Sequence, residues 1–458
     1  MRLTLDEVQR ATGGRLAGAS PAAVITGVTT DTRTLRPGDL FVALPGPHAD
    51  GHAFVAEAFR RGASAALVSR APDGSPPGPL VQVGDGLRAL ADLARHYRRG
   101  LTLTVVGITG SVGKTTTAAM CAAVLGTRLA VARTRDEWNA EIGVPLTLLA
   151  LDERTQAAVI EMAMRGLGQI AELVDIAAPR IGVVTNIGPT HLELLGTIEN
   201  IARAKGELIE GLPADGAAVL NRDDPRAYAL RERSRARVVT YGTHPAADVR
   251  AGAVEADEGG LRVALTAGGR AVTVAVPALG RHNASNALAA AAVAGACGLP
   301  LEAVGEGLSA YRPPKMRLQP VQAGDVLIIN DAYNASPASM EAAFDVLADV
   351  ARGRRTIAVL GEMKELGPES PQLHREVGAS LAARRAAVLV AVEREGRRIA
   401  DGAIAAGMPE DAVIYLPSVE AAAERLPELV RPGDVVLVKG SRALAMERIV
   451  DVLVEARR

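Results

Sequence analysis

The chain has 458 residues, a formal net charge of −1, 48% hydrophobic residues and two cysteines. That length suits about three domains of roughly 150 residues each, and the balanced charge leaves no basic footprint for nucleic acid or an anionic membrane surface. Two cysteines exclude a disulfide scaffold, the acidic Asp6 and Glu7 near the start do not read as a targeting segment, and no apolar run reaches the about 20 residues of a membrane span; a cytoplasmic α/β protein without stable membrane insertion is expected.

Residues 1–82 read as a small α/β module, with short β-branched runs in VITGVTTDTRTLRPGDLFVALPG and a helix-then-strand pattern in HAFVAEAFRRGASAALVS. APDGSPPGP (71–79) is dense in proline and glycine and reads as a surface loop. A helix is expected over 86–99. A strand over 101–106 then opens the core of a central domain, taken as 83–312. There, AAVIEM (157–162), RIGVVTNIG (180–188) and an amphipathic stretch near 197–211 alternate strand and helix, which predicts a mainly parallel sheet covered by helices. A β-rich patch follows at 237–276. NALAAAAVAGACGL (286–299) reads as a buried helix, and Cys121 and Cys297 as core thiols. The prolines of YRPPKMR (311–317) mark a boundary, and 313–458 repeats strand and helix four times through RTIAVLGEM, AAVLVAV, AVIYLP and DVVLVKGS. That is a Rossmann-like doubly wound sheet, whose ligand edge lies at the carboxyl ends of its strands.

The sharpest chemical signal is TVVGITGSVGKTTT (104–117). Strand, glycine-rich turn and helix follow one another, so backbone N–H groups and a helix N-terminus converge on a phosphate. Lys114 supplies a cation for the outer phosphates and Thr115 a hydroxyl for Mg²⁺. The spacing departs by one residue from the strict phosphate-loop form, because Ile108 stands where the first glycine belongs. Other candidates fall at strand ends. Glu161 ends a strand of the same domain and reads as a metal ligand; His191 follows another strand end, where a lone histidine would more often be structural. Lys205 lies on the next helix, where a lysine alone reads as a solvated charge. His282, Asn283 and Asn286 open a helix; the amides suit a purine edge, and helix capping is the plainer alternative. Arg317 follows the hinge prolines, within reach of a transferring phosphoryl group. Asp331, Tyr333 and Asn334 cluster after the apolar strand VLII. Only five of the 51 basic residues are lysine, namely Lys114, Lys205, Lys315, Lys364 and Lys439; each reads either as a place where a compact, deprotonatable amine serves and a guanidinium does not, or as a lysine retained by chance on the surface. No Asn-Lys pair occurs, so the guanine-reading motif of a GTPase switch is missing.

Taken in order, GITGSVGKTTT, EMAMRGLGQI, TNIGPTHLELLGTIENIARAKGELIEGL, LNRDDPR, GRHNASNALAAAAVA, DAYNASPASM, GEMKELG and VKGSRA resemble the Mur ligases over nearly the whole chain. DAYNASP and KGSRA resemble the dipeptide-adding branch more than the muramyl tripeptide or folylpolyglutamate synthetases. The resemblance implies ATP-dependent joining of D-alanyl-D-alanine to UDP-N-acetylmuramoyl-tripeptide through an acyl phosphate, by a monomer. It implies phosphate binding by Thr109, Gly110, Ser111, Val112, Gly113, Lys114, Thr115 and Thr116, one Mg²⁺ on Thr115 and Glu161, and a second on His191 and an N-carbamylated Lys205. It also implies ATP binding by His282, adenine contacts from Asn283 and Asn286, a γ-phosphate contact from Arg317 and a ribose contact from Asp331. The uridine-diphosphate end would lie on Asp31, Thr32, Arg33, Asp50, Gly51 and His52, with further substrate contacts from Asn139, Tyr333, Asn334, Lys439 and Arg442. Thr32, Glu137, Ala140, Asn330 and Ser336 depart from the family pattern.

Overall fold

Runs of four to six aliphatic residues, too short for stable helices, are buried on both faces here and assemble into mainly parallel sheets, as near-continuous hydrophobic strands do. The computed structural model describes residues 1–18, 20–46, 49–71, 78–135, 138–190 and 192–457. Its first sheet has five strands in the order Arg15–Ala17, Leu80–Gln82, Ala65–Val68, Asp39–Val42 and Gly27–Thr29. The loop expected over 71–79 falls largely outside the described residues. Helix Leu5–Thr12 starts with a capping box, Thr4 accepting from the Glu7 amide while Glu7 accepts from the Thr4 amide. Helix Gly86–Arg99, capped by the Asp85 carboxylate, packs on helices Leu5–Thr12, Gly143–Leu149 and Gln169–Ala177, so it joins the first sheet to the second.

The second sheet has nine strands in the order Arg270–Val276, Gly260–Ala267, Val249–Asp257, Arg237–Gly242, Ala217–Asn221, Ile181–Val184, Thr104–Thr109, Ala157–Glu161 and Val131–Arg133. Its first three strands pair antiparallel, and the rest are parallel. The strand expected over 101–106 runs instead over Thr104–Thr109. Its ladder with Ala157–Glu161 pairs Thr104 with Ala157 and Ile108 with Glu161, so pairing carries the strand up to Gly110. Helices Lys114–Leu125 and Asn283–Ala296 lie against each other on one face, where alanines permit close approach. Cys121 is buried there as expected. Cys297 caps the end of its helix and is only half-buried.

The third sheet has six strands in the order Gln319–Ala323, Val326–Asp331, Val435–Lys439, Thr356–Leu360, Val388–Val392 and Val413–Leu416. All but the first pair are parallel, so the carboxyl ends of five strands form one edge. Helix Pro337–Ala351 begins with a Ser336–Ser339 capping box. This part meets the second sheet's domain at its two rims: Arg354 binds Glu258 (2.9 Å) and Arg281 lies 3.5 Å from Asp349, while Gly367 packs against Glu193. Among the described residues no helix is long and apolar enough to cross a membrane.

Candidate active site

The loop after Thr104–Thr109 is shaped by two glycines. Gly110 has φ +150°, and a Cβ there would sit 1.8 Å from Thr185 Oγ1; Gly113 has φ +83°, and a Cβ would sit 2.6 Å from Asn286 Oδ1. Gly113 also precedes helix Lys114–Leu125 without any side-chain cap, so the first-turn N–H groups are left for an external anion. The loop is pinned from the neighbouring strand end. Ser111 N donates to Asn186 O (3.0 Å), Val112 N donates to Asn186 Oδ1 (3.0 Å), and Thr185 Oγ1 and Asn186 Nδ2 donate to Val112 O at 2.7 and 2.9 Å. Ser111 Oγ donates to Gly188 O at 2.8 Å. Thr109 Oγ1, at the base of the loop, is buried without a hydrogen-bond partner among the described residues.

At the mouth of the loop, Thr115 Oγ1 donates to Glu161 Oε2 (2.8 Å), and Asn139 Nδ2 donates to Glu161 Oε1 (2.9 Å). Glu161 is 5% exposed, so a carboxylate is held in the interior by two neutral donors. The Thr134 hydroxyl fixes the Glu161 amide (2.9 Å). A hydroxyl and a carboxylate are hard oxygen donors, and no group of three His, Cys, Asp or Glu that could hold a metal exists among the described residues. An ion here would complete its shell from phosphate and water, which is how Mg²⁺ is commonly held.

Lys114 Nζ donates to Gly110 O (2.8 Å). Burial pulls this amine below its ordinary range, opposed by Glu161 and reinforced by the positive charge of Arg317. Lys205, expected to read as a surface charge if taken alone, is 3% exposed on helix Ile198–Glu210. Burial first, then the charge of Lys114, pulls it well below its ordinary range. His191 lies outside the described residues, as does Glu137.

Asn283 and Asn286 face inward. Asn286 accepts from Thr117 Oγ1 (3.1 Å) and donates to Asn283 Oδ1 (2.7 Å), while Asn283 Nδ2 donates to Leu279 O (2.7 Å). His282 is exposed at the head of the same helix and makes no capping bond. Across the gap, Arg317 stacks on Tyr333 with its guanidinium carbon 3.8 Å from the ring centroid. Asp331 and Lys439 stand opposite each other on adjacent strands. Lys439 Nζ donates to Asp331 Oδ2 (2.5 Å) and to Asn334 O (2.9 Å), and Leu318 N donates to Asp331 Oδ1 (3.0 Å). Arg442 pairs with Glu447 (2.8 Å). Lys315 and Lys364 are exposed, Lys364 next to Glu362.

In the first sheet's domain, Arg33 forks onto Asp31 at 2.6–3.0 Å on an exposed loop, next to Thr32. Asp50 accepts from Arg70 (2.7 Å), from the His52 amide (2.9 Å) and from His52 Nδ1 (2.6 Å). The Arg70 guanidinium, then the His52 amide and ring, hold the Asp50 carboxyl far below its ordinary value. Ser69 N donates to His52 Nε2 (3.1 Å), so both ring nitrogens of this buried histidine are engaged. Gly51, between them, lies where a Cβ would meet the Leu44 amide at 2.7 Å.

A phosphate-type loop on a parallel sheet, flanked by a small α/β unit and facing the strand ends of a Rossmann-like unit, defines a three-domain α/β enzyme built around phosphate chemistry. Family models give the finer assignment. Residues 24–98 match the Mur ligase family catalytic domain, 108–294 the Mur ligase middle domain, and 316–442 the Mur ligase glutamate ligase domain. The chain belongs to the Mur ligase family. The UDP-N-acetylmuramoyl-tripeptide--D-alanyl-D-alanine ligase of Bacillus subtilis (strain 168) is 38% identical over 462 residues, covering 100% of this chain and 99% of its own. The Escherichia coli (strain K12) protein of that name is 37% identical, covering 99% and 98%. A crystal structure of MurF from Acinetobacter baumannii superposes with a TM-score of 0.91 at 31% identity, covering 99% of both chains. MurF ligase from Thermotoga maritima, solved in complex with ADP, gives 0.82 at 30% identity over 94% of this chain and 97% of its own. Folylpolyglutamate synthase from Mycobacterium tuberculosis, at 20% identity and a TM-score of 0.66, shares the fold.

Proposed function

We propose that the chain joins D-alanyl-D-alanine to UDP-N-acetylmuramoyl-tripeptide with conversion of ATP to ADP and phosphate, a step of peptidoglycan precursor synthesis. The observation that carries this reading is the pinned phosphate loop, with Thr115 and Glu161 bonded at its mouth, in a chain similar from end to end to ligases of that name. Residues 1–82 take the uridine-diphosphate end through Arg33 and its neighbours, 83–312 take ATP, and 313–458 present the acceptor. The protein acts as a cytoplasmic monomer.

In the reaction the γ-phosphoryl group of ATP passes to the tripeptide carboxylate. The acceptor amine then attacks the acyl phosphate, leaving an amide and inorganic phosphate. Two anions must meet in the first step, so cationic groups have to offset their repulsion. Lys114, free to turn from Gly110 O to a phosphate, and Arg317, supply that charge. Thr115 and Glu161 would hold one Mg²⁺, and His191 with a carbamylated Lys205 a second; the ions supply charge neutralisation at the phosphates. The burial of Lys205, together with the positive charge of Lys114, pulls its amine well below the ordinary range and supports the neutral amine that carbamylation requires. Asn283 and Asn286 form the wall beside the adenine, and Asp331 meets the ribose. Asn139, Tyr333, Asn334, Lys439 and Arg442 lie around the acceptor path. Water would destroy the acyl phosphate, so closure of the third domain over the loop is part of the cycle.

The test is ADP release over a panel of UDP-muramyl peptides and amine acceptors. Release that requires both the tripeptide and D-alanyl-D-alanine is expected. Formation of AMP and pyrophosphate, or equal turnover without the dipeptide, would refute the reading.

A further inference from the structure

We infer that Tyr333 is a positioning residue: its ring is the platform that carries Arg317 as an arm of the third domain and presents it to the phosphate loop. The inference rests on the proposed reading of Arg317 as the contact of the transferring phosphoryl group. The guanidinium carbon lies over the ring, 3.8 Å from its centroid. A ring face steadies a cation without using its N–H donors, whereas a carboxylate would occupy them and cancel the charge. Arg317 therefore keeps its in-plane fork available for phosphate oxygens.

The backbone shows that this pose is imposed. Met316 and Leu318, on either side of Arg317, have φ of +57° and +48°, a conformation that L-residues adopt only when surroundings enforce it. Three hydrogen bonds do so: Tyr333 N to Met316 O (3.1 Å), Leu318 N to Asp331 Oδ1 (3.0 Å) and Met316 N to Gln319 Oε1 (3.0 Å). Every anchor belongs to the third sheet or its loops, on the far side of the proline hinge. The charge of Arg317 nonetheless reaches Lys114 in the loop. The arm thus travels with the third domain, and the phosphoryl contact is complete only when that domain is seated.

The experiment compares kcat and KM for the parent, Tyr333→Phe, Tyr333→Leu and Tyr333→Met, each also in an Arg317→Ala background, with ADP-binding stoichiometry to count folded sites. Loss of the π face is expected to lower kcat about five- to thirtyfold, the range of a cation–π contact of about 1–2 kcal/mol, with KM for ATP and for the UDP substrate unchanged. Tyr333→Phe keeps the face and should lose less kcat than Tyr333→Leu or Tyr333→Met. In the Arg317→Ala background, removing the ring should cost nothing further, because the two act as one unit. Tyr333→Leu and Tyr333→Met at parental kcat, a Tyr333→Phe defect as large as theirs, or full additivity with Arg317→Ala would each overturn the inference. A parent that does not respond to the dipeptide refutes the ligase reading; an active parent with indifferent Tyr333 variants refutes the platform alone.

Discussion

Replacing Gly113 with alanine tests whether the phosphate loop and helix Asn283–Ala296 form one built unit. The new Cβ meets two penalties. Gly113 has φ +83°, a pose that costs an L-residue about 1–2 kcal/mol. The Cβ would also stand 2.6 Å from Asn286 Oδ1, so the amide must retreat. Asn286 then gives up its bonds with Thr117 (3.1 Å) and Asn283 (2.7 Å), and each buried bond lost costs about 1 kcal/mol or more. The total is about 3–5 kcal/mol, borne locally by the two packed helices. Hydrogen exchange on helix Asn283–Ala296 reads that local loss directly, where a melting midpoint of a multidomain chain would not. ADP titration should show binding weakened at least about tenfold, since 1.4 kcal/mol suffices for that factor. Adding Asn286→Ala removes the collision, so the double variant should be less damaged than the sum of the singles. Strict additivity, or Gly113→Ala with parental protection and ADP affinity, would refute the reasoning.

Lys114→Ala should keep its fold and lose about 10²–10³-fold in turnover, the usual loss for one transition-state charge contact; a rate within about threefold of the parent would place the phosphate contact elsewhere. Lys205→Arg should be nearly inactive in the ADP-release assay, because a guanidinium stays protonated and forms no carbamate, while Lys205→Ala should regain activity on adding a small carboxylic acid. Retained turnover in Lys205→Arg counts against the carbamate. Asp50 has a carboxyl depressed from its ordinary value of 3.8, so its stabilisation is complete above that value and disappears as pH falls below it toward the native value. Asp50→Asn should therefore lower hydrogen-exchange protection around Gly51–Phe54 at pH 7 and match the parent at strongly acid pH; a constant gap across that range would rule the carboxylate out as the cause.

The loop around Lys114 was legible because its chemistry is local: two glycines, a lysine and a threonine within one strand-to-helix turn carry their conformational meaning with them. Lys205 was legible only through the rarity of lysine and the family resemblance, since its helix position alone says surface and burial is a property of packing. The web from Asn186, Thr185 and Ser111 escaped sequence reasoning. It joins residues 73 to 77 positions apart, and only the parallel pairing of Thr104–Thr109 with Ile181–Val184 brings them together. The family resemblance makes Asn139 a substrate contact, whereas in the fold its amide bonds Glu161; strand ends next to the loop are the available signal. Asp331 and Lys439 are a similar case: each was singled out, but their ion pair follows from strand order, which hydrophobic periodicity does not encode.

The placement of the five lysines has a practical consequence. Lys205 and Lys439 are 3% and 2% exposed, Lys114 is folded onto its loop, and the rest of the basic surface is guanidinium. The exposed side-chain amines are Lys315 and Lys364, one just after Pro313 and Pro314 and one at the strand-end edge of the third sheet. Guanidinium groups do not acylate under the mild conditions that modify free amines, so an amine-selective dye or cross-linker lands on the two segments that flank the domain gap. The chain comes ready to be tagged there by ordinary acylating reagents, with no cysteine to engineer in and few competing sites to remove.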